Sequence, residues 1–194
     1  MRKIYLAGPD VFLPDAKAIG ARKKELCARY GFVGLYPLDN EIVADAGGAR
    51  LDLLIYRANE ALIRQADLGI CNLTPFRGPG ADAGTVYELG LLVGLDKPVF
   101  AYTNSAADYL DRVRESHALT FDAALKTWRD ENNMMVEDFG NADNLMIDSA
   151  LIDHGCPIVR HRAAPDALFH DLTGFEACLR GAAETSAEAQ GVTT

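Results

Sequence analysis

The stretch Arg77-Gly-Pro-Gly-Ala-Asp-Ala-Gly-Thr-Val-Tyr-Glu-Leu-Gly90 decides how the rest of the chain is read. It follows a short apolar run, Leu68-Gly-Ile-Cys-Asn-Leu73, that reads as a buried strand, and it leads into Val86 to Leu95, which reads as a helix. A Gly-rich connection between a buried strand and a helix is where open α/β sheets put their ligands, at the carboxyl ends of the strands. Asp82 falls in that connection and Glu88 in the first turns of the helix, so both carboxylates project toward one crevice. Paired carboxylates at a strand end fit acid, base or nucleophile work. The same spacing also fits a capping Asp82 and a solvated Glu88.

Outward from this stretch, strands and helices alternate. Lys3 to Ala7 reads as a strand that Gly8-Pro9 ends, and Ala16 to Tyr30 as a surface helix with Gly31 as its C-terminal cap. Phe32 to Tyr36 is the second strand, and Pro37-Leu-Asp-Asn40 opens a loop that runs through Gly47-Gly48. Leu51 to Ala66 carries Leu51, Leu54, Ile55, Ala58, Ala61 and Leu62 on one face, and Pro98 to Tyr102 is a fourth strand. This pitch predicts a single α/β domain over residues 1–180, a parallel sheet with helices on both faces in flavodoxin-like order. Beyond Thr103 the pattern weakens: 107–128 is mixed, Ala163 to Leu179 reads as a final helix, and 181–194 as a small, polar, disordered tail.

Hydrophobic residues at 49% and charged residues at 24% are ordinary for a globular protein. The net charge of -9 disfavours nucleic acid or an anionic membrane as partner and leaves a neutral, nucleoside-sized ligand untouched. The four cysteines show no paired spacing and read as buried thiols of a reducing compartment. With no apolar leader after Met1-Arg-Lys and no run of membrane-spanning length, the expected location is the cytoplasm.

Other chemistries fit less well. His154, His161 and His170 lack the spacing of a helical metal pair and have no partner cysteine, so no metal and no cofactor is expected. Gly78-Pro-Gly80 is not followed by Gly-Lys-Ser/Thr, and two carboxylates there would repel a phosphate. A Ser-His-Asp triad has no nucleophile elbow. Of two tyrosines near the carboxylates, Tyr5 and Tyr87, only Tyr5 lies on a strand beside them.

Five motifs in register resemble the nucleoside 2-deoxyribosyltransferases. They are Ile4-Tyr-Leu-Ala-Gly-Pro-Asp-Val-Phe-Leu-Pro-Asp15, Pro37-Leu-Asp-Asn40, Asn59 ahead of Ala66-Asp67, Asp82-x-Gly-Thr-x-x-Glu-Leu-Gly90, and Asn144-Leu-Met146. The resemblance implies transfer of 2-deoxyribose between nucleobases by double displacement. Glu88 matches the nucleophile, Asp82 the acid that protonates the departing base, and Tyr5 the hydroxyl that orients the nucleophile. Substrate contacts are implied for Gly8, Asp10, Asn40 and Asn59, with Glu41 near the base. Asn144 and Met146 match residues that reach the sugar from a neighbouring subunit, which implies a homo-oligomer with shared sites; the partners are deoxynucleosides and free nucleobases.

Two competitors stand beside this reading. A hydrolase of the same fold would cleave the N-glycosidic bond of a deoxynucleoside or its 5′-monophosphate with the same two carboxylates. The string Asp143-Asn144-Leu145-Met146 and the acidic balance favour free nucleosides. A non-catalytic nucleotide-binding module would tolerate Glu88→Gln.

Overall fold

The computed structural model describes the backbone of residues 1–40 and 50–191, with side chains through 186; Glu41, Gly47 and Gly48 lie outside the described residues. Five parallel strands form the central sheet: β1 (Lys3–Ala7), β2 (Val33–Leu35), β3 (Leu68–Asn72), β4 (Val99–Thr103) and, late in the chain, Val159–Arg160. Their spatial order is β2-β1-β3-β4 and then the late strand, the expected flavodoxin-like order. The switch point of this order lies where β1 is flanked by β2 and β3, and the crevice outside the carboxyl ends of β1 and β3 is its ligand position.

The crossover helices are α1 (Ala16–Arg29), α2 (Leu51–Gln65) and α3 (Ala83–Gly94). Strand pleating divides the core into two layers, because successive side chains point to opposite faces. Ile4 and Leu6 pack with Cys27 of α1 on one face, while Tyr5, Ala7 and Cys71 pack with Ile63 of α2 and Leu89 and Leu92 of α3 on the other. That alternation sends Tyr5 toward α3. Close packing depends on two glycines: a Cβ on Gly20 would fall 2.4 Å from the Tyr36 ring, and one on Gly69 would fall 2.3 Å from Leu92.

The structure departs from the sequence reading in four places. Helix α3 starts at Ala83 rather than Val86, because Asp82 caps it and Gly84 is helical rather than part of the loop. The mixed stretch resolves into α4 (Tyr109–Ser116) and an antiparallel meander of β5 (Thr120–Asp122), β6 (Thr127–Arg129) and β7 (Met135–Val136). The Leu110, Val113 and Val136 cluster seats the meander on α4. A further helix, α5 (Leu145–Asp153), is capped by Asn144 and precedes β8 (Val159–Arg160), the fifth strand of the sheet.

The last departure is at the carboxyl-terminal end. The expected helix over 163–179 is broken by Pro165, and α6 (Thr173–Gly191) begins ten residues later than Ala163 and continues past the expected boundary at 181. Alanine-rich sequence favours helix there, and Phe175, Leu179 and Ala182 are buried in the core layer shared with β1 and α1. Residues 182–191 are therefore helical, not a tail. Among the described residues, no helix is long and apolar enough to cross a membrane.

Candidate active site

The Gly-rich stretch after β3 is held open by contacts from the second half of the chain. Arg77 sits at φ 57, in the left-handed region, and Phe76 N–H donates to the Gly80 carbonyl at 3.0 Å. Asp143 Oδ2 accepts from the Ala81 amide at 2.9 Å, and Arg112 Nε donates to the Pro79 carbonyl at 2.7 Å. Arg112 and Asp143 are both buried and approach one another, so a paired charge anchors the loop ahead of α3. The sequence assigned neither residue this anchoring role. The one available signal was that Asp143 stands next to Asn144 in the last motif.

Asp82 begins α3 as its N-cap: Oδ2 accepts from the Thr85 amide at 2.9 Å and from Thr85 Oγ1 at 3.0 Å. Among the described residues its Oδ1 has no partner. The capping reading of Asp82 is therefore correct, and compatible with a second role for the other oxygen. Glu88 lies farther along the same helix, where its Oε1 accepts a 2.5 Å hydrogen bond from Tyr5 Oη. It is not a solvated helix residue. Burial pushes the Glu88 carboxyl up to about 7, the Tyr5 hydrogen bond pulls it down, and the Asp82 charge raises it. Burial and the Glu88 carboxylate hold the Tyr5 phenol far above its ordinary range, so it stays a donor.

These carboxylates line a cavity of about 620 Å³, large enough for a nucleoside-sized ligand. Val11 and Phe12 come to it from the loop after β1, Leu38 from the loop after β2, and Ile55 from α2, which gives an apolar lining suited to a planar ring. Asn40, Asn59, Asp82 and Glu88 supply acceptors and donors, and Lys17 adds a cation. Asn59 Oδ1 is buried without a partner among the described residues, an unsatisfied acceptor at the cavity wall. An unpaired buried acceptor is costly, and a ligand N–H or O–H would satisfy it.

Gly8, Asn40, Asn59, Asp82, Glu88 and, through its hydrogen bond, Tyr5 are thus brought together. Asp10 is not. It is fully buried, with Oδ2 on Lys23 Nζ at 2.7 Å and Oδ1 on Asn72 Nδ2 at 3.0 Å, so it turns away from the cavity that its neighbours line. The short turn Pro9–Phe12 alternates direction, which residue order alone does not reveal. Asn144 and Met146 also stand apart from this chain's own cavity. Asn144 caps α5 and donates to Glu137 at 2.7 Å, and Met146 is 71% exposed. Tyr87 points outward and meets the Tyr56 hydroxyl at 3.3 Å.

Among the described residues, no group of three or more His, Cys, Asp or Glu is arranged to hold a metal ion. His161 and His170 pair with Asp171 and Asp15. All four cysteines are free thiols, three of them buried.

Comparison with known proteins agrees with this fold. The chain is 32% identical over 155 residues to an uncharacterized protein of Schizosaccharomyces pombe, spanning 74% of each sequence. Among solved structures it resembles a 2-desoxiribosyltransferase from Leishmania mexicana, with a TM-score of 0.62 and 28% identity over 87% of this chain and 95% of that one. A conserved protein from Enterococcus faecalis V583 shares the fold, with a TM-score of 0.52 and 21% identity over 87% of this chain and 95% of that one. The profile of the nucleoside 2-deoxyribosyltransferases matches residues 4–146, from β1 through the start of α5, and the chain belongs to that family.

Proposed function

We propose that this protein transfers 2-deoxyribose from one nucleobase to another through a covalent ester on Glu88, with net retention at the anomeric carbon. The observation that carries the reading is the Tyr5–Glu88 hydrogen bond in a nucleoside-sized cavity that Asp82 shares. In the first step a Glu88 oxygen attacks C1′ of the donor nucleoside. The C1′–N bond breaks and its electron pair leaves on the base, which takes a proton from Asp82. In the second step the incoming base, deprotonated by Asp82, attacks C1′ and expels Glu88. Two inversions give retention, as in retaining glycosidases.

A carboxylate suits the first role because it stabilises an oxocarbenium-like transition state and forms a bond that can be reopened. Tyr5 donates to the charged form and so opposes the rise that burial imposes on the Glu88 carboxyl, which leaves a share of it ionised near neutral pH. Asn59 Oδ1 and Asn40 offer hydrogen bonds to the substrate, and Gly8 lets the backbone approach it closely. Asn144 and Met146 act on the sugar from a neighbouring copy, so the working unit is a homo-oligomer. The enzyme serves nucleoside salvage in the cytoplasm.

The test is an exchange assay. With deoxyinosine as donor and excess adenine as acceptor, deoxyadenosine should form faster than free deoxyribose, because the acceptor held against Val11, Phe12 and Leu38 has a high effective concentration over Glu88. Free deoxyribose that accumulates first and is not diverted by added base identifies a hydrolase. No change in the donor identifies a binding module.

A further inference from the structure

Asp10 and Lys23 form a buried ion pair that the proposed chemistry does not use. The Lys23 side chain is 2% exposed and that of Asp10 0%, with Nζ 2.7 Å from Oδ2. Tyr36 Oη also reaches Oδ2, at 3.4 Å, and Lys23 Nζ lies 5.4 Å from the Phe175 ring centroid and 5.9 Å from that of Tyr102. Asp10 Oδ1 accepts from Asn72 Nδ2, and Asn72 Oδ1 in turn accepts from the Thr74 amide at 3.1 Å and hydroxyl at 2.6 Å. Thr74 Oγ1 accepts from the Asn104 amide at 3.0 Å. A buried polar chain thus crosses the carboxyl ends of β1, β3 and β4.

Such a pair is a poor source of stability, since removing two charges from water offsets most of their attraction, and apolar residues of similar size often serve better. It does fix geometry. Asp10 stands between Gly8 and Val11-Phe12, all three of which line the cavity. Gly8 is pressed so close to the network that a Cβ there would fall 2.5 Å from Asp10 Oδ1 and 2.7 Å from Asn72 Cβ. Phe12 is held on its outer side by Phe76, stacked at 5.2 Å, with the Arg77 guanidinium 5.3 Å from its ring centroid. The inner tether of the same turn is Asp10.

We propose that Lys23, a buried residue of α1 that does not line the cavity, is a positioning residue: through Asp10 it clamps the 8–12 turn so that Gly8, Val11 and Phe12 form a fixed wall for the nucleobase. Two readouts test this, and only the kinetic one rests on the transferase reading above. In Lys23→Met the amides of Val11 and Leu13, bonded to the Gly8 and Asp10 carbonyls, should exchange with deuterium about tenfold faster or more, while β3 amides are unchanged. The KM for the deoxynucleoside should rise about tenfold, with kcat held within roughly twofold.

The single variant strands a buried carboxylate and can unfold, so the pair Asp10→Asn with Lys23→Met removes both charges. This double variant should melt near wild type yet keep the fast exchange at Val11 and Leu13 and the raised KM. Wild-type exchange and KM in the double variant would overturn the clamp, as would a single variant that loses kcat at unchanged KM. If the wild-type protein exchanges no bases, the transferase reading fails and the amide measurement still decides the clamp.

Discussion

Replacing Tyr5 by Phe isolates the hydrogen bond that keeps the proposed nucleophile charged. Burial lifts Glu88 to about 7, and the Tyr5 hydroxyl at 2.5 Å is the contact that opposes the lift. A hydrogen bond to a charged group contributes roughly 1.5–3 kcal/mol. At 1.36 kcal/mol per unit, its loss raises the Glu88 pKa by about one to two units further. The ionised fraction at pH 7 then falls from about half to between roughly a tenth and a hundredth. Because the proposed first step needs the carboxylate, kcat/KM for the donor nucleoside at neutral pH should drop about 5- to 50-fold and recover on raising the pH by about two units. The assay is initial-rate exchange from about pH 5 to about pH 10 with one donor and saturating acceptor base. An acid limb that stays in place while the rate falls equally at every pH refutes the argument; Tyr5 would then only fill space in the core.

Three further outcomes are expected. Since the folded-state pKa of Glu88 is raised from 4.5 to about 7, the stability it allows is full below 4.5 and is lost as pH rises through 7. Glu88→Gln should therefore raise the melting temperature in alkaline buffer, by the equivalent of on the order of 3 kcal/mol, and leave it unchanged in acid; a gain that does not vary with pH contradicts the shift. A 2-deoxy-2-fluoro-arabinonucleoside should leave a sugar adduct on the peptide containing Glu88, seen by mass spectrometry, and an adduct on another residue removes Glu88 from the role. Mixing inactive Glu88→Ala chains with crippled Asn144→Ala chains should restore part of the activity, whereas a fully active monomer excludes a shared site.

The sheet was legible where local pattern and global packing agree. The runs at 3–7, 68–73 and 98–102 are apolar, short and bounded by Gly, Pro or Asp, and they became β1, β3 and β4 within a residue or two. The carboxyl-end rule then located the crevice, and the pleat, which puts Tyr5 on the α3 face, explains why Tyr5 and not Tyr87 meets Glu88. What failed to show were features set by contacts distant in sequence. β8 has two residues and exists only because it pairs with Tyr102 and Thr103. The meander is sealed by Trp128 and Val136 against α4, with no alternation long enough to read. The direction of Asp10 was not legible either, because in a 3-10 turn it depends on Lys23 and Asn72, which lie 13 and 62 positions away.

The same geometry that makes Glu88 useful makes it expensive to hold. One helix carries both carboxylates: Asp82 at its start, with one oxygen fixed by Thr85, and Glu88 farther along, turned toward Tyr5 of β1. Fixing Asp82 as a cap sets the start of α3 and thereby the rotation that aims Glu88 at the cavity. Burial then removes water that would otherwise stabilise the carboxylate, so a group that would be fully ionised on the surface is only about half ionised near neutral pH. In the proposed reaction the compensation comes at the transition state, where positive charge develops on the sugar beside a poorly solvated anion and the attraction is stronger than in water. Tyr5 balances these demands. A stronger donor would lower the pKa and weaken the proposed nucleophile, and no donor would leave it largely protonated at neutral pH.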